Sequence, residues 1–402
     1  MTQPPLSDQV LTEAADAVAA GSPDATAPEI PGSPDRSAWI HAFRWVLITR
    51  LLFLSIAYAG THFLTTTQGP VLDGFRAMWT RWDALHFQQV AELGYTAAGT
   101  DPHATAFFPL FPMLMRLLNF AGIPFVVAGM LISAGASIVA FAFLYRWAEE
   151  EIGPGAGHRS VLYLAFFPTA VFLVAPYSEA LFMAGAIPAF YYGRKGQWHL
   201  AAFPAAVATG ARFAGAFLLV GLALEFVRQK DWTPKRVGNA ALALVVGTLP
   251  LVAYGAYLER IKGDFFYYFT DQREGWGRGF VGPIDSFKNT WNTFEGAGYP
   301  ANFIFAWRVE IIAAIGGLAF VAWALMRREW GYAGFMGTFM ASLITSSWYY
   351  SIPRMMLSFF PIMLLVAAYT HKRQDVHEVI LIVGAALASM GVIVFTRGAW
   401  FY

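Results

Sequence analysis

The residues best equipped for chemistry cluster in one stretch, GFRAMWTRWDALHFQQVAELGYTAAGTDPHATAFFPLFP (74–112). Residues 75–93 read as helical, and Trp79, Asp83, His86 and Val90 recur at i, i+4, i+7 and i+11 on one face. Asp83 and His86 therefore project together, flanked by Trp82 and Phe87. A carboxylate bracketed by aromatics at a membrane surface loses part of its hydration. That raises its proton affinity toward general-base duty. The alternative at this point is an amphipathic interfacial helix with a solvated acid.

A second candidate is FFPTAVFLVAPYSEALF (166–182), read as two short helices broken at Pro176 with Tyr177, Ser178 and Glu179 at the turn. A glutamate in such apolar company needs a partner. Alternatively, Ser178 and Glu179 cap a helix N-terminus. Arg212 lies between two apolar runs, and Arg354, in SSWYYSIPRMMLSFFP, opens a helix. Arginine suits a bidentate grip on phosphate; a structural ion pair is the other reading. Arg44 and Arg50 read as snorkelling side chains. Arg116 serves either a phosphate or an anchor. In GDFFYYFTDQREGWGRGFVGP (263–283), Gln272, Trp276 and Arg278 could face a sugar, because Trp stacks on pyranose rings and Gln bonds hydroxyls; an interfacial lid is the alternative. Asp101 and His103 are the nearest approach to a metal-ligand pair in a loop. There is no Walker A loop, no dinucleotide-binding glycine motif and no H-E-x-x-H.

The elements that position these residues must be membrane helices. Of 402 residues, 57% are apolar and 17% aromatic, only 13% are charged, and the mean hydropathy is +0.48. One soluble core of this length cannot bury so much apolar surface. That excludes a soluble enzyme, a disordered chain and a fibre. Cysteine is absent, which rules out disulfides, thiolate nucleophiles and Cys-bound metal. A net charge of +1 excludes a nucleic-acid surface.

Residues 1–38 are acidic, polar and Pro/Ala-rich, and read as a disordered cytoplasmic tail with no signal-peptide pattern. Apolar runs then fall at 43–64, 124–147, 160–175, 178–193, 198–212, 214–228, 238–258, 304–326, 332–347, 354–370 and 377–395. About eleven spans follow. Several are shorter than the roughly 20 residues a bilayer asks for, so they need thinned lipid or a lining of protein. The run 107–120 is shorter still, contains two prolines, and reads as re-entrant or interfacial. Lys and Arg crowd the short loops that are inner if the N-terminus is cytoplasmic, for example Arg194, Lys195, Arg327 and Arg328. The long loops 65–106 and 259–303 then lie outside.

Taken in order, RWDALHFQQVAELGY, AFFPLFP, FFPTAVFLVAPYSEALF, GARFAG, GDFFYYFTDQREGWGR and SIPRMMLSFFP resemble the PIG-V-type mannosyltransferases of the GT-C superfamily, from about Arg44 to about Met363. The resemblance implies an all-α polytopic GT-C-like bundle (39–402) with an acidic first extracytoplasmic loop, in which Asp83 is the catalytic carboxylate. It implies a polyprenyl-phosphate-mannose donor and a lipid-linked or glycan acceptor at the extracytoplasmic face of the plasma membrane, or of the endoplasmic reticulum membrane in a eukaryote. Neither cofactor nor metal is called for. Arg81, Trp82, His86, Tyr177, Ser178, Glu179, Arg212, Gln272, Trp276 and Arg354 are the expected substrate contacts, with Arg354 or Arg212 steadying the phosphate. A GT-C transferase of another sugar, a protein O-mannosyltransferase and a non-catalytic lipid-sugar flippase are the alternatives.

Overall fold

The computed structural model describes residues 34–63, 74–295 and 301–399. Most of the acidic N-terminal segment, and parts of both long loops, lie outside these residues.

The chain is a helical membrane bundle. It runs through α1 (Arg36–Phe63), α2 (Gly74–Trp79), α3 (Asp83–Leu93), α4 (Leu110–Asn119), α5 (Phe125–Glu151), α6 (Ala156–Ala165) and α7 (Glu179–Arg194). There follow α8 (Trp198–Ala211), α9 (Ala214–Gln229), α10 (Pro234–Lys262), α11 (Tyr267–Trp276) and α12 (Pro283–Glu295). The last elements are α13 (Ala301–Met326), α14 (Trp330–Ile344), α15 (Ile352–Met356), α16 (Pro361–Thr370) and α17 (Gln374–Thr396).

Every apolar run in the sequence became helix, but not every run became one uninterrupted span. Among the described residues five helices, α1, α5, α10, α13 and α17, are long and apolar enough to cross a bilayer by length and composition. The shorter ones, α7, α8, α9 and α14, pack on one another and on α5 and α10. α7 is sheathed almost entirely: from Glu179 to Gly193 nearly every residue is buried. A protein lining rather than lipid thus accommodates this 16-residue helix. Small residues permit the closeness. A Cβ at Gly185 would stand 3.0 Å from the Ala208 Cα.

The run 160–175 is interrupted where proline removes donors. Pro168 and Pro176 end helix between α6 and α7, leaving a 3₁₀ turn at Ala170–Leu173 and irregular turns up to Ser178. Non-helical backbone inside a bundle needs partners. Ser133 on α5 donates to the Ala175 and Tyr177 carbonyls at 3.0 and 3.2 Å. Arg50 donates to the Leu173 carbonyl at 2.5 Å and to Ser137 Oγ at 2.7 Å. Arg50 is therefore a structural clamp in mid-α1, and the snorkelling expected of it is corrected: the unwound carbonyl beside it offers a better partner than the interface. Arg44 lies against the Trp45 ring at 5.7 Å.

α4 has a buried face of Phe111, Pro112 and Met115 and an exposed one of Met113 and Leu117. Such an amphipathic helix suits an interface. Arg116 donates to the Glu92 carbonyl at 3.0 Å, which anchors this helix to α3.

Candidate active site

The expected helix over 75–93 breaks at residues 80–82, and the break sets up the site. Trp82 takes φ +52°, ψ −122°, rarely adopted by a non-glycine residue. Asp83 is consequently the first residue of α3, not a mid-helix position. Trp79 is corrected accordingly: it turns away from Asp83 and packs on Phe395 of α17. Tyr177 fastens the break by donating its hydroxyl to the Arg81 carbonyl at 2.9 Å.

Asp83 meets α15 across the cavity. Arg354 Nη1 donates to Asp83 Oδ2 at 2.6 Å, and its Nε donates to Glu179 Oε1 at 2.5 Å. The Arg354 guanidinium sits over the Phe172 and Tyr177 rings at 4.7 and 4.6 Å. Arg212, at the α8–α9 junction, forms a second ion pair with the same Glu179 oxygen and reaches Met355 Sδ at 3.2 Å. Glu179 is wholly buried. It binds two arginines, so the pairing alternative holds, and Ser178 makes no side-chain cap.

Glu310 of α13 aims Arg354. Its carboxylate accepts from the Ser351 and Ile352 amides at 2.6 and 2.7 Å. Those bonds pin the turn in which Ser351 sits at φ +62°. The segment 345–351 is stitched to the second long loop as well. Val281 N–H donates to the Thr345 carbonyl at 2.8 Å, Asn289 to the Ser347 carbonyl at 2.8 Å, and Tyr349 N–H to Thr290 Oγ1 at 2.8 Å.

The result is a cavity of about 440 Å³, within the usual size of ligand pockets. Its polar side carries Asp83, His86, Ser178, Gln272, Arg278 and Arg354; its apolar side carries Phe213, Phe217, Phe269, Phe339 and Leu343. His86 stacks on Phe107 (4.7 Å, 16°), with Trp276 edge-on to both. Tyr268 also lines the wall, and burial pushes its phenol up to about 12, so it stays neutral.

Eight expected contact or catalytic residues line this cavity together: Trp82, Asp83, His86, Ser178, Arg212, Gln272, Trp276 and Arg354. Three do not. Tyr177 and Glu179 stand behind the wall as supports. Arg81 turns toward the end of α17, where a Cβ on Gly398 would meet its Cζ at 3.4 Å; the strained Trp82 separates it from Asp83.

Two expectations change in kind. Burial alone pushes the Asp83 carboxyl up, but the Arg354 guanidinium, with smaller pulls from His86 and Arg212, more than reverses this. Asp83 is held below its ordinary value, so an ionised carboxylate replaces the raised one expected from its aromatic neighbours. Arg354 and Arg212, expected as free phosphate grips, are already committed to carboxylates.

Asp101 and His103 also diverge. Asp101 Oδ2 lies 3.7 Å from His86 Nδ1, whereas His103 Nδ1 lies 3.2 Å from Asp271. Thr105 also bonds Asp271, which is fully buried. This contact ties α11, with Gln272 and Trp276, to the first loop. No group of three or more His, Asp or Glu gathers as a metal site among the described residues. Sequence reading missed Glu310, Asp271 and Tyr350; the only signal was for Glu310, an acid within a long apolar run.

Comparison with known proteins gives a partial sequence match and a likeness of fold. Residues 71–228 match the family described as Mannosyltransferase (PIG-V). Over that stretch the chain is similar to the PIG-V mannosyltransferases. Mouse (Mus musculus) GPI alpha-1,6-mannosyltransferase 2 is 28% identical over 212 residues, 47% of this chain and 42% of the mouse protein. The human (Homo sapiens) protein of the same name is 30% identical over 156 residues, 36% of this chain and 31% of its own. The match thus spans less than half the length of these curated relatives. The crystal structure of ArnT from Cupriavidus metallidurans, bound to undecaprenyl phosphate, superimposes with a TM-score of 0.51. It covers 89% of this chain and 77% of that one at 12% identity. That likeness shows the fold. The matched stretch includes Asp83, Glu179 and Arg212 but stops short of Gln272, Arg278 and Arg354.

Proposed function

We propose that this chain is an inverting mannosyltransferase that takes mannose from a polyprenyl-phosphate donor and passes it to a hydroxyl of a lipid-linked or glycan acceptor. The observation that carries this reading is an ionised carboxylate, Asp83, opening onto a cavity that is cationic on one side and apolar on another. A lipid-carried sugar phosphate has the same two halves. Its prenyl chain suits Phe217, Phe339 and Leu343, and its head group suits the polar wall. The matched PIG-V segment and the PIG-V-like relatives support the sugar assignment.

In this mechanism the acceptor oxygen attacks the anomeric carbon as the bond from that carbon to the phosphate oxygen breaks. The bonding pair leaves on the phosphate, and the acceptor proton passes to Asp83. A phosphate leaving group needs no acid to protonate it, unlike the leaving alcohol of a glycosidase. The depressed proton affinity of Asp83 fits this chemistry. An attacking hydroxyl becomes strongly acidic as its C–O bond forms, so an ionised carboxylate in place matters more than a highly basic one. Arg354 holds the carboxylate ionised and oriented. His86, Trp276 and Gln272 supply an aromatic and polar rim for a pyranose.

Asp83→Asn, assayed with purified protein, polyprenyl-phosphate-mannose and a membrane lipid extract, should bind donor yet transfer at least about 10²-fold more slowly. Near-normal transfer would remove Asp83 from the reaction. We place the cavity on the extracytoplasmic face, following the Lys and Arg bias of the short loops. Because the chain has no cysteine, Lys288→Cys on exposed α12 tests this directly. An impermeant maleimide should label it from outside intact cells; labelling only after lysis would invert the topology.

A further inference from the structure

Three guanidiniums reach the cavity, and two are neutralised in place. Arg354 is divided between Asp83 and Glu179, with its faces covered by Phe172 and Tyr177. Arg212 pairs with Glu179. Arg278 differs. Its Nη2 donates to the Tyr350 carbonyl at 3.2 Å, and its Cζ lies 5.2 Å from the centre of the Tyr350 ring. Among the described residues no carboxylate lies within ion-pairing reach of it. Burial correspondingly lowers its hold on its proton, though an arginine remains a cation.

We propose that Arg278 is the residue that recognises the lipid-linked phosphate, taking the role that the sequence suggested for Arg354 or Arg212. This assignment rests on the mannosyltransferase reading and makes it specific. The pairing of charges supports it. Asp83 and Glu179 are taken by Arg354 and Arg212, and the Glu310 carboxylate is taken by the Ser351 and Ile352 amides, so Arg278 has no ion-pair partner of its own among the described residues. A glycosyl phosphodiester carries one negative charge. After transfer the product is a phosphomonoester, which adds up to one further negative charge near neutral pH. The hydrogen bond and the ring contact to Tyr350 hold the guanidinium in place, and its remaining N–H groups suit phosphate oxygens.

The backbone holds Arg278 at the junction of the two halves of the cavity. Gly277, at φ +64°, ends α11 in the left-handed region, and a Cβ there would also meet the Trp348 ring at 2.8 Å. Arg278 N–H then donates to the Gln272 carbonyl at 3.0 Å. On its other side Gly279 N–H bonds Ser347 Oγ at 3.0 Å, and Phe280 pairs with Ser346 in a short bridge. A guanidinium fixed there stands between the sugar rim of α11 and the apolar wall of α9 and α14.

The test compares binding of polyprenyl phosphate and polyprenol of equal chain length, read by tryptophan fluorescence in nanodiscs. Wild type should prefer the phosphate by roughly 10-fold or more, the scale of a charge-assisted hydrogen bond. Arg278→Gln should abolish the preference, and Arg278→Lys should keep part of it. Arg278→Met serves as a second neutral variant if the Gln protein does not fold. A neutral variant that retains the full preference would overturn the assignment to Arg278 while leaving the donor class intact. A wild type that binds polyprenol as tightly as polyprenyl phosphate would instead remove the lipid-phosphate donor and, with it, this role for Arg278.

Discussion

Glu179 and Glu225 are both fully buried, and each lies between two arginines at opposite ends of the bundle. Their surroundings are complete to different degrees. Glu225 uses both oxygens. Oε1 accepts from Arg228 Nη2 at 2.5 Å, Oε2 accepts from Arg228 Nε at 2.9 Å, and Arg194 stands 3.7 Å away. Arg194 goes on to Glu329 at 2.7 Å and Glu151 at 2.6 Å, and Lys195 closes the set on Glu150. At the cavity end both arginines share Oε1 of Glu179, and its Oε2 accepts no hydrogen bond among the described residues. A third arginine is left over. The closed network ties helix ends together; the open one leaves an arginine without an ion pair beside a cavity. Buried ion pairs are weak evidence for stability, and incompleteness is the mark that separates a site from a strut.

The strongest way to break this contrast is to neutralise each glutamate. Glu179→Gln and Glu225→Gln should each destabilise the bundle by about 3–5 kcal/mol, because each strands buried arginines. Only Glu179→Gln should also cut transfer per folded molecule, by about 10²-fold, since Arg354 loses the partner that aims it at Asp83. Thermal midpoints paired with single-turnover rates on the folded fraction separate the two effects. Equal rate losses at both ends would erase the distinction drawn here.

A second test uses pH. The Asp83 carboxyl is held below its ordinary value because Arg354 outweighs burial. Its ion pair therefore stabilises the folded chain above the unfolded carboxylate pKa, and that contribution is lost as pH falls through the lower folded value. Wild-type transfer should show no acid limb from Asp83 between about pH 5 and 8. Arg354→Gln leaves burial unopposed by its main counterweight, so the Asp83 pKa should rise and an acid limb should move up into that window. A variant profile parallel to wild type would show that Arg354 does not set the ionisation of Asp83.

How far the sequence foretold this site depends on the distance over which each fact is determined. Hydropathy located the helices, because a lipid-facing or core-facing run is a local property. Pro168 and Pro176 announced the break before Glu179 for the same reason. The break at Trp82 was invisible, since residues 75–93 keep a helical period straight through it. It comes from Tyr177 holding the Arg81 carbonyl and from Asp83 meeting Arg354, partners 96 and 271 residues away. The direction of the Asp83 shift was misread for the same reason: aromatic neighbours in sequence speak for desolvation, and the guanidinium that overrides them is remote. Arg278 looked like one more arginine in an aromatic loop until its two rivals were seen to be occupied.

The smallest effect concerns Trp82 itself, whose backbone angles cost about 1–3 kcal/mol in a non-glycine residue. Trp82→Ala and Trp82→Gly remove the same indole from the cavity wall, so both should raise the donor KM alike. They differ in that only glycine relieves the backbone. Glycine also has more freedom to lose on folding, worth about 0.5–1 kcal/mol. On balance Trp82→Gly should be the more stable of the two by about 1 kcal/mol, reversing the order these residues show in ordinary helical and extended positions. Equilibrium unfolding of the two variants in the same detergent reads the difference. An alanine variant at least as stable as the glycine one would mean that Trp82 is unstrained, and that the offset between α2 and α3 is maintained by the Tyr177 and Arg354 contacts alone.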